Sequence, residues 1–118
     1  MPNTSPIEAL ARKFARIQGY EDIGLHGEAL RELGLLPPAM RELPTIELRQ
    51  ARLLERLGRF GEALKIFERT ERCTVAELGR VRCLARLQKP AEARRLMEAI
   101  LFEAGLVKEF VETRDSLD

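Results

Sequence analysis

The chain has 118 residues, enough for one compact domain, and its 45% hydrophobic and 33% charged content is that of a soluble globular protein, not a disordered one. A formal net charge of +1, from 20 Lys+Arg against 19 Asp+Glu, disfavours wholesale binding of polyanions, which needs surplus positive charge. One His, two Cys and no Trp leave most metal sites and His-based catalytic triads without parts.

Nineteen Leu and thirteen Ala against ten Val and Ile together favour helix, and no stretch alternates as a strand would, so the fold class is all-α. Ser5-Pro6-Ile7-Glu8 is a capping box with Pro at the first helical position. Behind it Ile7, Leu10, Ala11, Phe14 and Ile17 recur at helical spacing, while Gly19 and Gly24 weaken this first helix and leave its phase open. Pro37-Pro38 and Pro44 break the chain, and Thr45 begins a second amphipathic run through Leu57. Gly58 ends that run. Thr74-Val75-Ala76-Glu77 reads as a second capping box, opening Val75, Leu78, Val81 and Leu84. The Lys89-Pro90 pair and Gly105 mark further breaks, and residues 106–114 place Leu106, Val107, Phe110 and Val111 on one helical face.

An internal period organises these runs. Gly27-Glu28-Ala29, Gly61-Glu62-Ala63 and Ala91-Glu92-Ala93 share one frame, their alanines 34 and then 30 residues apart. Six residues before the alanines stand Ile23, Leu57 and Leu87; nine before, Tyr20, Leu54 and Leu84. Twelve before stand Ile17, Ala51 and Val81; fifteen before, Phe14, Leu48 and Leu78; four after, Leu33, Phe67 and Met97. Each unit is expected to be a helix, a tight turn and a second helix that approaches the first closely at the small alanine. One such hairpin cannot bury its own apolar face, so three must stack.

The run from Arg52 to Phe67, with Gly58 at the turn, Phe60, the packing Ala63 and the closing Phe67, resembles the heart of a tetratricopeptide repeat. The resemblance implies three antiparallel helix hairpins over about residues 6–36, 44–71 and 74–104, in a short right-handed array that forms a single domain over 1–118. It also implies a C-terminal capping helix over 106–114 and a concave groove, lined by the first helix of each repeat, that binds peptides or helices. The groove columns carry Ala11, Phe14, Gln18, Glu21 and Asp22; then Thr45, Leu48, Arg52, Glu55 and Arg56; then Val75, Leu78, Arg82, Ala85 and Arg86. The column that is normally large and buried holds Lys13, Glu47 and Glu77 instead. Either the first helices are rotated, leaving Phe14, Leu48 and Leu78 as ordinary core under a solvated arginine face, or the groove carries an apolar stripe edged by arginines.

The second case makes Phe14, Leu48 and Leu78 apolar anchors and Arg52, Arg56, Arg82 and Arg86 the residues that orient acidic margins on an amphipathic partner helix. The carboxylate clamp of some family members needs groove asparagines, and the only Asn here is Asn3. The short length, the three degenerate repeats and the Cys83-x-x-x-Leu87 step are also similar to the small helical-repeat chaperones of bacterial type III secretion systems. That similarity implies a cytoplasmic protein holding a small needle subunit, with a second small chaperone. A generic scaffold or adaptor is the broader form of the same expectation.

The rival class is a nucleic-acid or polyanion binder. Residues 49–95 carry 13 positive and 6 negative groups between two acidic flanks, so the Arg-rich central face could serve as a basic stripe. Sixteen of the twenty cations are Arg, which suits bidentate carboxylate contact but also follows from GC-rich coding. Against a nucleic-acid role, only 5% of residues are aromatic, and Phe60 and Phe67 fall in packing columns. His26 shares its column with Phe60 and Pro90, which fits a structural role, and no phosphate-loop or zinc-helix motif is present. The pairs Glu21-Asp22 and Glu68 with Glu71 read as solvated ion pairs. Cys73 and Cys83 read as two buried free thiols; a disulfide between them would require suitable geometry. No leader or membrane span is evident. The expectation is a non-catalytic interaction module without metal or cofactor.

Overall fold

The computed structural model describes residues 5–70 and 73–105, which are helical throughout apart from turns. Seven helices are present among the described residues: α1 (Pro6–Asp22), α2 (His26–Gly34), α3 (Pro38–Arg41), α4 (Pro44–Arg56), α5 (Phe60–Arg69), α6 (Thr74–Arg86) and α7 (Pro90–Glu103). None of them is long and apolar enough to cross a membrane. The chain divides into two compact units, Met1–Arg59 and Phe60–Asp118.

The sequence period reappears as backbone geometry. α1, α4 and α6 end at Asp22, Arg56 and Arg86, all in one column, and α2, α5 and α7 begin at His26, Phe60 and Pro90, all in another. Between them Gly24 (φ 79°), Gly58 (φ 77°) and Gln88 (φ 62°) occupy the left-handed region. The turn hydrogen bonds match as well. The N–H groups of Leu25, Arg59 and Lys89 donate to the carbonyls of Tyr20, Leu54 and Leu84 at 2.8, 2.9 and 2.9 Å. Those of Gly24, Gly58 and Gln88 donate to Glu21, Glu55 and Ala85 at 3.1, 2.9 and 3.3 Å. This double bond set is the Schellman closure of a helix end, and it satisfies carbonyls that the helix itself leaves open. The first copy is therefore in phase with the others despite Gly19, which α1 absorbs.

Gln88 is the exception to glycine in that column. Its side chain carries a left-handed conformation that costs an L-residue roughly 1–2 kcal/mol. Gln88→Gly is expected to raise stability by about 0.5–1 kcal/mol and Gly58→Ala to lower it by a similar amount. Urea unfolding of the two variants beside the parent checks both signs.

In the first unit, the Ser5 hydroxyl accepts the Glu8 backbone N–H at 3.1 Å with Pro6 opening the helix, so this capping box forms as the sequence implies. α1 packs on α2, and α2 on α4. Ile17, Ala29, Leu33, Leu36, Ile46 and Leu53 form the core, with Leu10, Phe14, Tyr20, Leu30 and Met40 packed against it. The proline segment holds a short helix, α3, that the sequence pattern does not announce. Pro38 opens it, and the extended Leu43 (ψ 134°) closes it because the residue before a proline avoids helical backbone.

In the second unit α6 packs on both α5 and α7. Leu64, Ile66, Phe67, Cys83, Leu84 and the small Ala63, Ala76 and Ala93 are buried there. Two expectations are corrected. The cap of α6 is Cys73, extended at φ −153° with no side-chain hydrogen bond, and not Thr74. The Glu77 N–H bonds the Cys73 carbonyl at 2.9 Å, which starts the helix one residue earlier and leaves the second capping box unformed. Consequently Cys73 is exposed, not buried; Cys83 is buried, and both are free thiols. The expected capping helix at 106–114 lies outside the described residues, as does residue 71 at the end of the second repeat.

Candidate interaction surface

The seven residues singled out as partner-binding fall in both units. On α4, Leu48, Arg52 and Arg56 follow one another at four-residue spacing, so they share one helical stripe. On α6, Leu78, Arg82 and Arg86 repeat the same pattern in the same columns. In each stripe the leucine is half-buried and both arginines are exposed. The corresponding stripe on α1 is Phe14, Gln18 and Asp22. Phe14 is half-buried and packed against the first unit's core, so it belongs at least partly to the interior.

The neighbouring column gives the rotation of these helices. Glu77 is buried, and Lys13 and Glu47 are half-buried. With Phe14, Leu48 and Leu78 also half-buried, the boundary between interior and surface runs between the two columns. Each of these apolar side chains shows one flank to the core and the other to solvent.

The α1 stripe satisfies its own polar groups. Arg49, on α4, donates from Nε to Glu21 Oε1 at 2.8 Å, and from Nη2 to Glu21 Oε2 at 3.1 Å and Gln18 Oε1 at 2.9 Å. Gln18 in turn donates from Nε2 to Asp22 Oδ1 at 2.8 Å. The fork-on-fork geometry ties α4 to α1 across a gap that only a long guanidinium side chain bridges. With side-chain exposures of 29% and 22%, the Arg49–Glu21 pair is partly desolvated. Glu21 is therefore not the solvated carboxylate expected of it, while Asp22 remains exposed. A double-mutant cycle on Arg49→Met and Glu21→Gln is expected to give a coupling of about 1 kcal/mol, at the upper edge of exposed pairs. Denaturant midpoints of the four proteins measure it.

A second bridge joins α1 and α2, where exposed Arg16 lies 3.8 Å from the buried Glu32 carboxylate. In the second unit the Arg86 guanidinium stands 5.9 Å from the centroid of Phe60, which orients it by attraction to the ring face. Arg80 Nε and His26 Nδ1 are buried without a hydrogen-bond partner. His26 opens α2 in the packing column, where the sequence places it. Among the described residues, no group of three or more His, Cys, Asp or Glu is gathered as metal ligands would be.

Sequence reasoning missed Arg49 and the role of Phe60 beneath Arg86. The signal for Arg49 was weak, because its column holds Ala15 and Gly79 in the other copies. An arginine facing a preceding repeat's Glu21 shows itself only once the helices are side by side. The surface as a whole offers apolar flanks edged by fixed cations. Exposed ion pairs contribute roughly 0–1 kcal/mol each, so a ligand here would gain its affinity from the leucines and its orientation from the arginines. No family model, curated protein or solved structure matches this chain.

Proposed function

We propose that the chain is a tetratricopeptide-like helical-repeat protein, built as three antiparallel hairpins in a short right-handed array with a capping helix over 106–114. Its work is non-catalytic: the faces of its first helices hold an amphipathic helix of a partner protein, one with acidic margins. The observation that carries this reading is the repeated stripe of a half-buried leucine followed by two exposed arginines on α4 and again on α6. Support for the array comes from the recurring turns and from the packing of α2 on α4 and α5 on α6, each a second helix set against the first helix of the next pair. A narrower form of the proposal is a cytoplasmic bacterial chaperone that shields a small secretion needle subunit, with a co-chaperone.

The test uses a synthetic helical peptide with one leucine face and glutamate margins, titrated by fluorescence anisotropy. Leu48→Asp and Leu78→Asp are each expected to weaken binding by about tenfold or more, with helicity and urea midpoint retained. Should either variant unfold, its leucine is core, and Leu→Ala at the same position then decides whether any affinity depended on it. The basic content of residues 49–95 favours a second reading, polyanion binding. That reading requires affinity for a nucleic acid to fall by orders of magnitude between low and moderate salt, whereas apolar helix capture changes little. For the narrower form, co-expression with a needle-type subunit should yield a complex that Leu48→Asp abolishes.

A further inference from the structure

The face of α6 is matched, in chemistry and in order, by the stretch of chain that follows α7. From its N-terminal end α6 presents Val75, 49% exposed, then half-buried Leu78, then exposed Arg82 and Arg86. Apolar surface therefore comes first and guanidinium groups last, along a helix of about 20 Å. Residues 106–118 repeat that order. Leu106, Val107, Phe110 and Val111 crowd the first half, and Glu112, Asp115 and Asp118 follow, with Glu109 at the margin of the apolar set.

The helix connections fix the direction of approach. α6 and α7 pack together across the three-residue turn Leu87–Lys89, so they run antiparallel. At 13 and 14 residues they are nearly equal in length, which returns the end of α7 to the level of Val75. There Gly105, at φ 77°, turns the chain away from the α7 axis, and Phe102 stands 70% exposed. A segment starting at that point and running along α6 meets Val75 and Leu78 with its apolar half and reaches Arg82 and Arg86 with its acidic half. Laid in the opposite sense, it would set carboxylates on Val75.

We infer that residues 106–118 lie along this face of α6 in the same molecule and act as an internal competitor for the partner helix. On the reading of that face as a helix-binding surface, the segment regulates access to it. Tethered a few residues away, it is present at a millimolar effective concentration, so a partner must displace it and binds correspondingly more weakly than to the bare face.

Cys73, exposed at the start of α6 while Cys83 is buried, is a native handle for the experiment. A nitroxide is attached to Cys73 of the full chain, and the amide signals of residues 106–112 are compared with those of the reduced label. Strong broadening is expected, unchanged on dilution. Arg82→Glu with Arg86→Glu should abolish it, and Glu112→Arg with Asp115→Arg in the same chain should restore it. In a parallel titration, Phe110→Asp with Val111→Asp should tighten binding of the leucine-faced peptide by about tenfold. Absence of broadening overturns the inference. So does broadening that fades on dilution, which would place a second copy's segment on the face, or broadening indifferent to charge reversal, which would place the segment against α7 alone. Unaltered peptide affinity in the Phe110 and Val111 variant overturns the competitor role. The nitroxide measurement needs no partner; failure of the peptide to bind any variant removes the partner reading and leaves the segment's position decided on its own evidence.

Discussion

Phe67→Ala is expected to destabilise the protein by about 3–5 kcal/mol, the cost of removing a sealed aromatic ring and leaving its cavity. The ring is 1% exposed and is the largest fully buried side chain. Its edge stands over Gly79 on α6: a Cβ added at Gly79 would lie under 3.0 Å from the Phe67 ring atoms. Because α5 and α6 approach through this contact, the size of one residue sets the limit on the other. Since natural domains are stable by only about 5–15 kcal/mol, the loss is a large share of the whole, and a urea or thermal midpoint will show it.

The same contact makes a sharper test through its partner. In an isolated helix, Gly79→Ala would help by about 1 kcal/mol. Here the methyl group meets a ring with no room to retreat, and overpacking of this kind costs about 1–3 kcal/mol. Net destabilisation is therefore expected for Gly79→Ala alone, and neutrality or a small gain when Phe67→Leu is already present. A parent background in which Gly79→Ala stabilises would show that the ring does not press on α6.

The second large effect lies in the first unit. Ile17→Ala should cost about 2–4 kcal/mol, whereas Ile23→Ala should stay within about 0.5 kcal/mol. Both isoleucines stand in recurring apolar columns, six residues apart on the same stretch of chain. Their exposures are 0% and 70%. Ile17 is closed in by Ala29, Leu33, Leu36, Ile46 and Leu53, while Ile23 follows the last turn of α1 and projects from the helix end. Equal costs at the two positions would contradict that division.

This pair also shows how far the sequence carries. The period located the helix ends to the residue: Asp22, Arg56 and Arg86 close their helices in register, and His26, Phe60 and Pro90 open theirs. Such features are local, written in spacing and in turn residues, and they recur because the same closure is needed three times. Burial within a column was less legible. Ile23 and Leu57 are apolar and periodic yet exposed, because an apolar residue just past a helix end has no neighbour to face. The cap of α6 moved from Thr74 to Cys73 because a side-chain cap stabilises by only about 1 kcal/mol, less than the packing that seats Ala76 and Glu77. For the surface, spacing aligned Leu48 with Leu78 and Arg52 with Arg82, and the half-buried state of the leucines lies between the two alternatives it allowed. The Arg49–Glu21 bridge, 28 residues apart, depends on how two helices lie beside each other, which no local pattern encodes.

The order of helix packing bears on how fast the chain can fold. The close pairings within each unit join consecutive helices, or in the case of α2 and α4 elements separated only by the four-residue α3. Few residues need to be looped out before one helix meets the next, so little chain entropy is lost ahead of the first stabilising contact. Topologies of this kind fold on the microsecond-to-millisecond scale, and stopped-flow refolding should find its main phase complete within the instrument's first milliseconds.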